Sequence, residues 1–151
     1  MKAVIMAGGK GTRISSITND EIPKPMLKIG DKTILEHQIE CLKKSNVDEI
    51  IIVIGHLGEK IKTYFGDGSK LGVKISYYEE DPNKPLGTAG SFYYLKDKID
   101  DDFILVFGDV FLSVDFTKMV SFHKINKSDA TLLTHPNSHP FDSDLVVAGN
   151  A

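Results

Sequence analysis

The chain has 151 residues, of which 41% are hydrophobic and 26% are charged, and its formal net charge is −3. This length fits one globular domain with a core, and the slightly acidic balance excludes the strong positive field of a nucleic-acid-binding protein. No apolar run reaches the roughly 18 residues of a membrane helix, and the first residues show no signal-peptide pattern. The single cysteine, Cys41, excludes an intrachain disulfide and fits a reducing compartment, so we expect a cytoplasmic protein that binds neither nucleic acid nor membranes.

Apolar strand-like runs alternate with helical patterns along the chain. Thr33 followed by Glu36 predicts a capping box, and hence a helix that ends near residues 45–46. The β-branched run 49–54 is typical of a parallel strand that is covered on both faces. Strands are expected at 2–7, 49–54, 73–78, 103–107 and 130–134, and further helices at 58–65, 88–95 and 115–126. This order predicts an α/β fold with a doubly wound, mostly parallel sheet.

The first strand runs directly into a glycine-rich segment, Gly8–Arg13. Such a turn presents backbone N–H groups that no side chain screens, which suits a phosphate. The segment lacks the spacing of a P-loop. It also fails the dinucleotide-binding pattern, because the third glycine position is Ile14. A phosphate-binding loop of another class is therefore expected.

Two further motifs follow later strands. Residues 86–90 (Leu-Gly-Thr-Ala-Gly) come after the strand 73–78, and Gly108-Asp109 follows the strand 103–107. In doubly wound sheets, ligands bind beyond the carboxyl ends of the strands. The three motifs should therefore meet at one edge of the sheet. Asp109, a carboxylate at a strand end beside a glycine, is the candidate ligand for Mg²⁺.

The Gly8–Arg13 motif, followed by Pro23-Lys24-Pro25, resembles the signature of the sugar-1-phosphate nucleotidylyltransferases. The motif pattern most resembles that of the members that transfer a guanylyl group to mannose 1-phosphate or heptose 1-phosphate. The resemblance implies a Rossmann-like nucleotidyltransferase fold. It also implies Mg²⁺-dependent transfer of a nucleotidyl group from a nucleoside triphosphate to a sugar 1-phosphate, with release of pyrophosphate.

The resemblance also implies roles for individual residues. Arg13 would hold the leaving pyrophosphate, Lys24 would meet charge at the α-phosphate, and Asp109 would bind the catalytic Mg²⁺. The residues expected to bind the nucleotide are Ala7, Gly8, Gly9, Gly11, Thr12, Arg13, Glu79, Gly87 and Thr88. Thr88 is also expected to cap a helix.

An acidic group, Glu79–Asp81, precedes the second motif. A carboxylate can accept hydrogen bonds from guanine N1–H and N2–H₂, so GTP is favoured as the donor. A solvated acidic loop is the alternative for Glu80 and Asp81.

The segment 135–144 contains two histidines and two aspartates. Its spacing matches no compact zinc pattern and its prolines break a helix, so we favour a loop near the sugar pocket over a metal site. The other histidines, His37, His56 and His123, are expected at the surface or in packing contacts.

The sequence is interpreted as one nucleotidyltransferase domain, 1–151, which is the nucleotide-binding portion and lacks the family's later sugar-binding part. That later part supplies a second Mg²⁺-binding aspartate in the family, so the activity of the 151-residue chain is left open. The alternatives are a cytidylyltransferase that acts on a phosphorylated alcohol and a non-catalytic nucleotide-binding module. A homo-oligomer is also left open.

Overall fold

The computed structural model describes residues 1–9, 21–81, 86–136 and 146, and only the backbone of Thr88 and Ala89. It divides into two compact units, Met1–Thr117 and Lys118–Ala151. The strands are β1 (Lys2–Met6), β2 (Lys28–Ile29), β3 (Lys32–Thr33), β4 (Glu49–Ile54), β5 (Lys74–Glu79) and β6 (Phe103–Phe107). The helices are α1 (Ile34–Lys44), α2 (Gly58–Phe65), α3 (Gly87–Leu95) and α4 (Phe116–Asn126), with short 3-10 helices at Lys24–Met26 and Ser69–Leu71.

The first unit contains a four-stranded parallel sheet in the order β5-β4-β1-β6. The central strand β1 pairs with both neighbours, and Val4 lies opposite Ile51 on one side and Leu105 on the other. All but the first residue of β4 are buried, as expected for a parallel strand covered on both faces. The predicted parallel sheet is thus confirmed in these strands.

Helices cover both faces of this sheet. Leu95 of α3 packs in one core cluster with Val4, Ile51 and Val53. Ile54 points to the opposite face, because side chains alternate along a strand. There it meets α2, where a Cβ added at Gly58 would lie only 2.8 Å from Ile54 Cβ. The sheet is therefore doubly wound, as predicted.

The capping box of α1 is present. Thr33 Oγ1 accepts a hydrogen bond from the Glu36 backbone N–H at 3.1 Å, and Glu36 Oε2 accepts one from the Thr33 N–H at 2.6 Å. The helix ends at Lys44, and Asn46 has a left-handed φ of 60°. Both ends agree with the sequence prediction. None of the helices among the described residues is long and apolar enough to cross a membrane.

The second unit, considered by itself, corrects one prediction. α4 ends at Asn126 as expected, but residues 130–134 form no strand. Leu132 and Leu133 are 71% and 63% exposed. An extended segment needs a hydrogen-bonded neighbour, and none of the described strands pairs with this one. The sequence also predicts a strand at 145–148, which lies outside the described residues except for Val146.

Candidate active site

The strand order reverses between β1 and β6, because the chain runs outward through β4 and β5 and then returns to the other side of β1. Such a switch point opens a crevice at the carboxyl ends of the two strands. The ends are held together by a hydrogen bond from the Gly108 N–H to the Met6 carbonyl, at 2.9 Å. The motifs that follow β1 and β6 therefore lie side by side.

The first part of the glycine segment leaves β1 close to the loop after β4. Ala7 is buried, and its N–H donates to the Val53 carbonyl at 2.8 Å. A Cβ added at Gly55 would lie 2.8 Å from the Gly8 carbonyl oxygen, so the two backbones touch. Gly9 is exposed, and a Cβ there would meet nothing within 4 Å. These backbones are thus placed at the crevice as the phosphate-loop hypothesis requires.

The rest of the motif, Lys10 to Arg13, lies outside the described residues. The predicted roles of Gly11, Thr12 and Arg13 therefore stay predictions.

Lys24 reaches the same crevice from a different segment. Lys24 is the first residue of a 3-10 helix. Pro23, in an extended conformation, precedes it, and the buried Pro25 follows it. Its Nζ lies 3.6 Å from Asp109 Oδ2. Only 22% of the Lys24 side chain is exposed, against 51% of Asp109. The structure thus brings together two residues that the sequence proposed separately for catalysis.

The glycine before Asp109 is required by close packing. A Cβ at Gly108 would lie 3.0 Å from the Met6 carbonyl oxygen and 3.2 Å from Pro25 Cγ. A larger residue would push the Asp109 turn away from β1 and from the segment that carries Lys24. Gly108 therefore allows Asp109 to lie close to β1 and to the segment that carries Lys24.

The acidic group after β5 divides into two environments. Glu79, predicted to contact the nucleotide, is exposed and its Oε1 lies 2.5 Å from Lys62 Nζ. Glu80 is half-buried, and its carboxylate receives a hydrogen bond from the buried Ser91 hydroxyl. Its other oxygen lies 2.9 Å from the position of a Cβ on Gly8. The alternative of a solvated loop is therefore wrong for Glu80, which touches the glycine segment.

The second motif begins α3 differently from the prediction. The helix starts at Gly87, with Leu86 as N-cap and no side-chain cap, so the role of Thr88 as a cap is wrong. Gly87 has a φ of 68°, a left-handed value that glycine adopts without strain. Its carbonyl lies 3.0 Å from Ser91 Oγ. Gly87 is thereby joined to Glu80 and to the crevice through Ser91.

Asp109 is the candidate carboxylate for a metal ion. No group of three or more His, Cys, Asp or Glu side chains among the described residues is placed to hold one. Asp109 alone nevertheless fits Mg²⁺, which is commonly bound by one or two carboxylates with substrate phosphates and water. Of the segment 135–144, only His135 and Pro136 are described, and the His135 ring contacts the Pro136 carbonyl. Whether that segment is a loop near the sugar stays a prediction.

The contacts of His37 and His123 agree with the surface or packing roles expected for them. His37 packs edge-on against the Phe111 ring, with the ring centroids 5.1 Å apart. His123 shares a hydrogen bond with Thr131 inside the second unit.

Sequence reasoning missed several residues that build this site. They are polar or small groups at positions of core packing or loop contact: Gln38, Gly55 and Ser91. Gln38 carried a detectable signal, because it lies on the apolar face of α1 among buried aliphatic residues. A glutamine in that position indicates a specific partner, although the sequence does not say which.

Comparison with known proteins agrees with this geometry. The family model described as nucleotidyl transferase matches residues 2–143. The UTP–glucose-1-phosphate uridylyltransferase of Synechocystis is 38% identical over 89% of this chain, and the D-glycero-α-D-manno-heptose 1-phosphate guanylyltransferase of Campylobacter jejuni is 40% identical over 87%. The chain spans 37% and 56% of the lengths of these two relatives.

A solved structure shares the fold. HddC from Yersinia pseudotuberculosis, in complex with GMP-PN, matches with a TM-score of 0.68 and 31% identity. The match covers 81% of this chain and 53% of that one. With the family model, the parallel sheet and the motifs at its switch point, this shows that the chain belongs to the nucleotidyl transferase family.

Proposed function

We propose that the protein transfers a nucleotidyl group from a nucleoside triphosphate, with GTP favoured, to a sugar 1-phosphate. The observation that carries this proposal is the meeting of the Gly8-Gly9 backbone, Lys24 and Asp109 at the carboxyl ends of β1 and β6. It supplies backbone amides, a cation and a metal-binding carboxylate within one crevice. These are the groups that a triphosphate needs.

In the proposed reaction, a phosphate oxygen of the sugar 1-phosphate attacks the α-phosphorus of the triphosphate. The bond between that phosphorus and the bridging oxygen breaks, and its electron pair leaves with pyrophosphate. No covalent enzyme intermediate is needed. The main demand on the protein is to align two anions in line and to offset their charge.

The chain's own residues divide that task. Gly8 and Gly9 let the phosphates approach backbone amides, and the ammonium of Lys24 offsets charge at the α-phosphate. Arg13 would bind the leaving pyrophosphate. Asp109 would hold Mg²⁺, which would neutralise charge on the phosphates when bound. Because Lys24 and Asp109 already lie 3.6 Å apart, both can reach one triphosphate.

The preference for GTP rests on two observations. One relative in this family is a heptose 1-phosphate guanylyltransferase, and the HddC structure contains a guanine nucleotide. The uridylyltransferase of Synechocystis is similar to the chain at nearly the same identity, so a direct comparison of bases is the deciding measurement.

The first test is the melting temperature of the chain with Mg²⁺ and each of GTP, CTP, UTP, dTTP and ATP. A ligand at 100 times its Kd stabilises the native state by about 2.7 kcal/mol, which is roughly 5–10 °C for a chain of this size. We expect the largest increase with GTP. A larger increase with another base would replace the guanine assignment. No increase with any triphosphate would contradict the proposed function for this chain.

Variants connect that binding to the crevice. Lys24→Met and Asp109→Asn should each reduce the Mg²⁺–GTP stabilisation, because each removes a charge that faces the triphosphate. Lys28→Met is the matched control, since Lys28 is an exposed lysine on β2. The same variants in the full-length protein should slow pyrophosphate release when a sugar 1-phosphate is supplied. Undiminished Mg²⁺–GTP binding by Asp109→Asn would rule out its metal-binding role.

A further inference from the structure

Gln38 is buried in a place where an aliphatic residue would be expected. It lies on the apolar face of α1, near Leu35, Ile39 and Leu42, and its side chain is fully buried. Burying an amide is costly unless it is hydrogen-bonded. Its Oε1 has no hydrogen-bond partner within the part of the chain that the structure describes. The hydrogen bonds that the structure shows for this amide are made by its Nε2 donor group.

That donor group binds the turn that carries Asp109. Gln38 Nε2 donates to the Phe107 carbonyl at 2.8 Å and to the Val110 carbonyl at 2.6 Å. The two carbonyls lie on either side of Gly108-Asp109, and the Val110 N–H closes the turn onto the Phe107 carbonyl at 3.2 Å. Both N–H bonds of the amide are thus used, and the amide joins the two ends of this turn. The reverse orientation of the amide would face its oxygen toward two carbonyls.

The next turn of α1 extends the attachment. Cys41 Sγ lies 2.9 Å from the Val114 carbonyl and 3.3 Å from the Val114 N–H. His37 packs against Phe111. One face of α1 therefore contacts the segment 107–114 at Phe107, Val110, Phe111 and Val114.

We infer that Gln38 is a positioning residue, which holds the turn 107–110 so that the Asp109 carboxylate stays directed toward Lys24 and the metal–triphosphate site. The inference rests on the proposed function for its catalytic consequence. Groups that orient a metal-binding residue typically change metal affinity or activity by about 10–100-fold when they are removed.

The test compares wild type with Gln38→Met, which keeps the length of the side chain and removes the donor. Gln38→Leu is a second apolar variant, and Ile39→Val is the matched control because Ile39 is a fully buried neighbour on the same helix. Two measurements are made on each protein. The first is amide hydrogen exchange at Val110 and Val114 without ligand. The second is GTP affinity by calorimetry, with Mg²⁺ and without metal.

We expect both Gln38 variants to exchange faster at Val110 and Val114, while the amides of β1 and β4 keep their wild-type rates. GTP affinity with Mg²⁺ should fall about 10-fold or more. Affinity without metal should be unchanged, which a general loosening of the fold would not produce. Ile39→Val should leave both measurements near wild type.

Unchanged exchange at Val110 and Val114 would overturn the positioning role. An equal loss of GTP affinity with and without metal would also overturn it, because Gln38 would then act through stability alone. If wild type binds no triphosphate, the proposed function fails separately, and the exchange rates still decide whether Gln38 holds the turn.

Discussion

Neighbouring segments contact each other in different ways at the carboxyl end and at the amino end of the parallel sheet. At the carboxyl end, backbone meets backbone: a Cβ on Gly55 would lie 2.8 Å from the Gly8 carbonyl oxygen. At the amino end, a long side chain makes the contact. Lys2 Nζ lies 2.8 Å from Asp100 Oδ1 and 2.9 Å from the Lys98 carbonyl. Most of the Asp100 side chain is exposed to solvent.

The difference shows where precision is needed in this fold. The close contact between Gly8 and Gly55 leaves no room for a side chain at Gly55 and so restricts the backbone at the start of the glycine segment. The proposed phosphate site would depend on that placement. An exposed ion pair tolerates rearrangement and contributes little to stability. Substitutions at the carboxyl end of the four strands should therefore cost more stability than substitutions at the amino end.

Gly55→Ala should have the largest effect. Its methyl group would lie 2.8 Å from the Gly8 carbonyl oxygen and 3.3 Å from Gly8 Cα, so the two loops must separate. Overpacking of this kind costs about 1–3 kcal/mol in the free energy of unfolding. Urea denaturation measures the loss, and the triphosphate-induced melting shift should fall with it.

Gly9→Ala is the control for that substitution. A methyl group there meets nothing within 4 Å, so the free energy of unfolding should change little. If Gly55→Ala were as stable as Gly9→Ala, the carboxyl end would not be as tightly packed as the distances indicate.

Ser91→Ala should have an intermediate effect. The variant removes the buried hydroxyl that donates to the Glu80 carboxylate, so that oxygen loses this hydrogen bond. Leaving a buried polar group without its partner costs about 1–3 kcal/mol, and we expect the low end because Glu80 is only half-buried. Thermal melts compare it with Ser76→Ala, whose serine is exposed on β5. Equal melting temperatures for the two variants would argue against this contact.

Asp100→Asn should have the smallest effect, a slight loss of stability at neutral pH that disappears in acid. The hydrogen bond from Lys2 holds the pKa of the Asp100 carboxyl below its ordinary value of 3.8. A lowered folded-state pKa contributes stability that is present above about pH 4 and is lost as the pH falls through the folded-state value. Thermal melts between pH 2 and 7 should therefore show a smaller decrease in melting temperature toward acid pH for Asp100→Asn than for wild type.

Asp97→Asn is the matched variant for that measurement, since it removes a charge at an exposed position nearby. If the melting temperature of Asp100→Asn fell with pH as it does in wild type, the ion pair would add nothing to stability.

Much of the fold was predictable because its signals are local. The run 49–54 is apolar and β-branched throughout, which a strand buried on both faces requires. Thr33 and Glu36 form their capping box within one turn of chain, so the pattern specifies the contact. Lys24 and Asp109 were also identified, because glycine and proline neighbours marked them.

The parts that were missed depend on contacts between distant positions. Gln38 binds carbonyls that are 69 and 72 residues away, and no local pattern indicates which loop will lie against α1. Gly55 is needed only because Gly8 lies against it. Residues of this kind become visible once the order of the strands is known.

Differences from the sequence predictions also occurred at the ends of elements. At the end of β5, Glu79 pairs with Lys62, whereas the next residue, Glu80, contacts Ser91 and the glycine segment. The role of Glu79 in nucleotide binding stays a prediction. Thr88 resembles a helix cap, but Gly87 turns the chain one residue earlier. The run 130–134 has strand-like residues without a neighbouring strand among those described.

The central place of β1 has a consequence for biosynthesis. β1 is synthesised about a hundred residues before β6, the strand to which it hydrogen-bonds. Until β6 emerges, one side of β1 has unpaired amides and carbonyls, which makes a nascent chain prone to association. The crevice between the two strands therefore forms only once β6 has been made and has paired with β1.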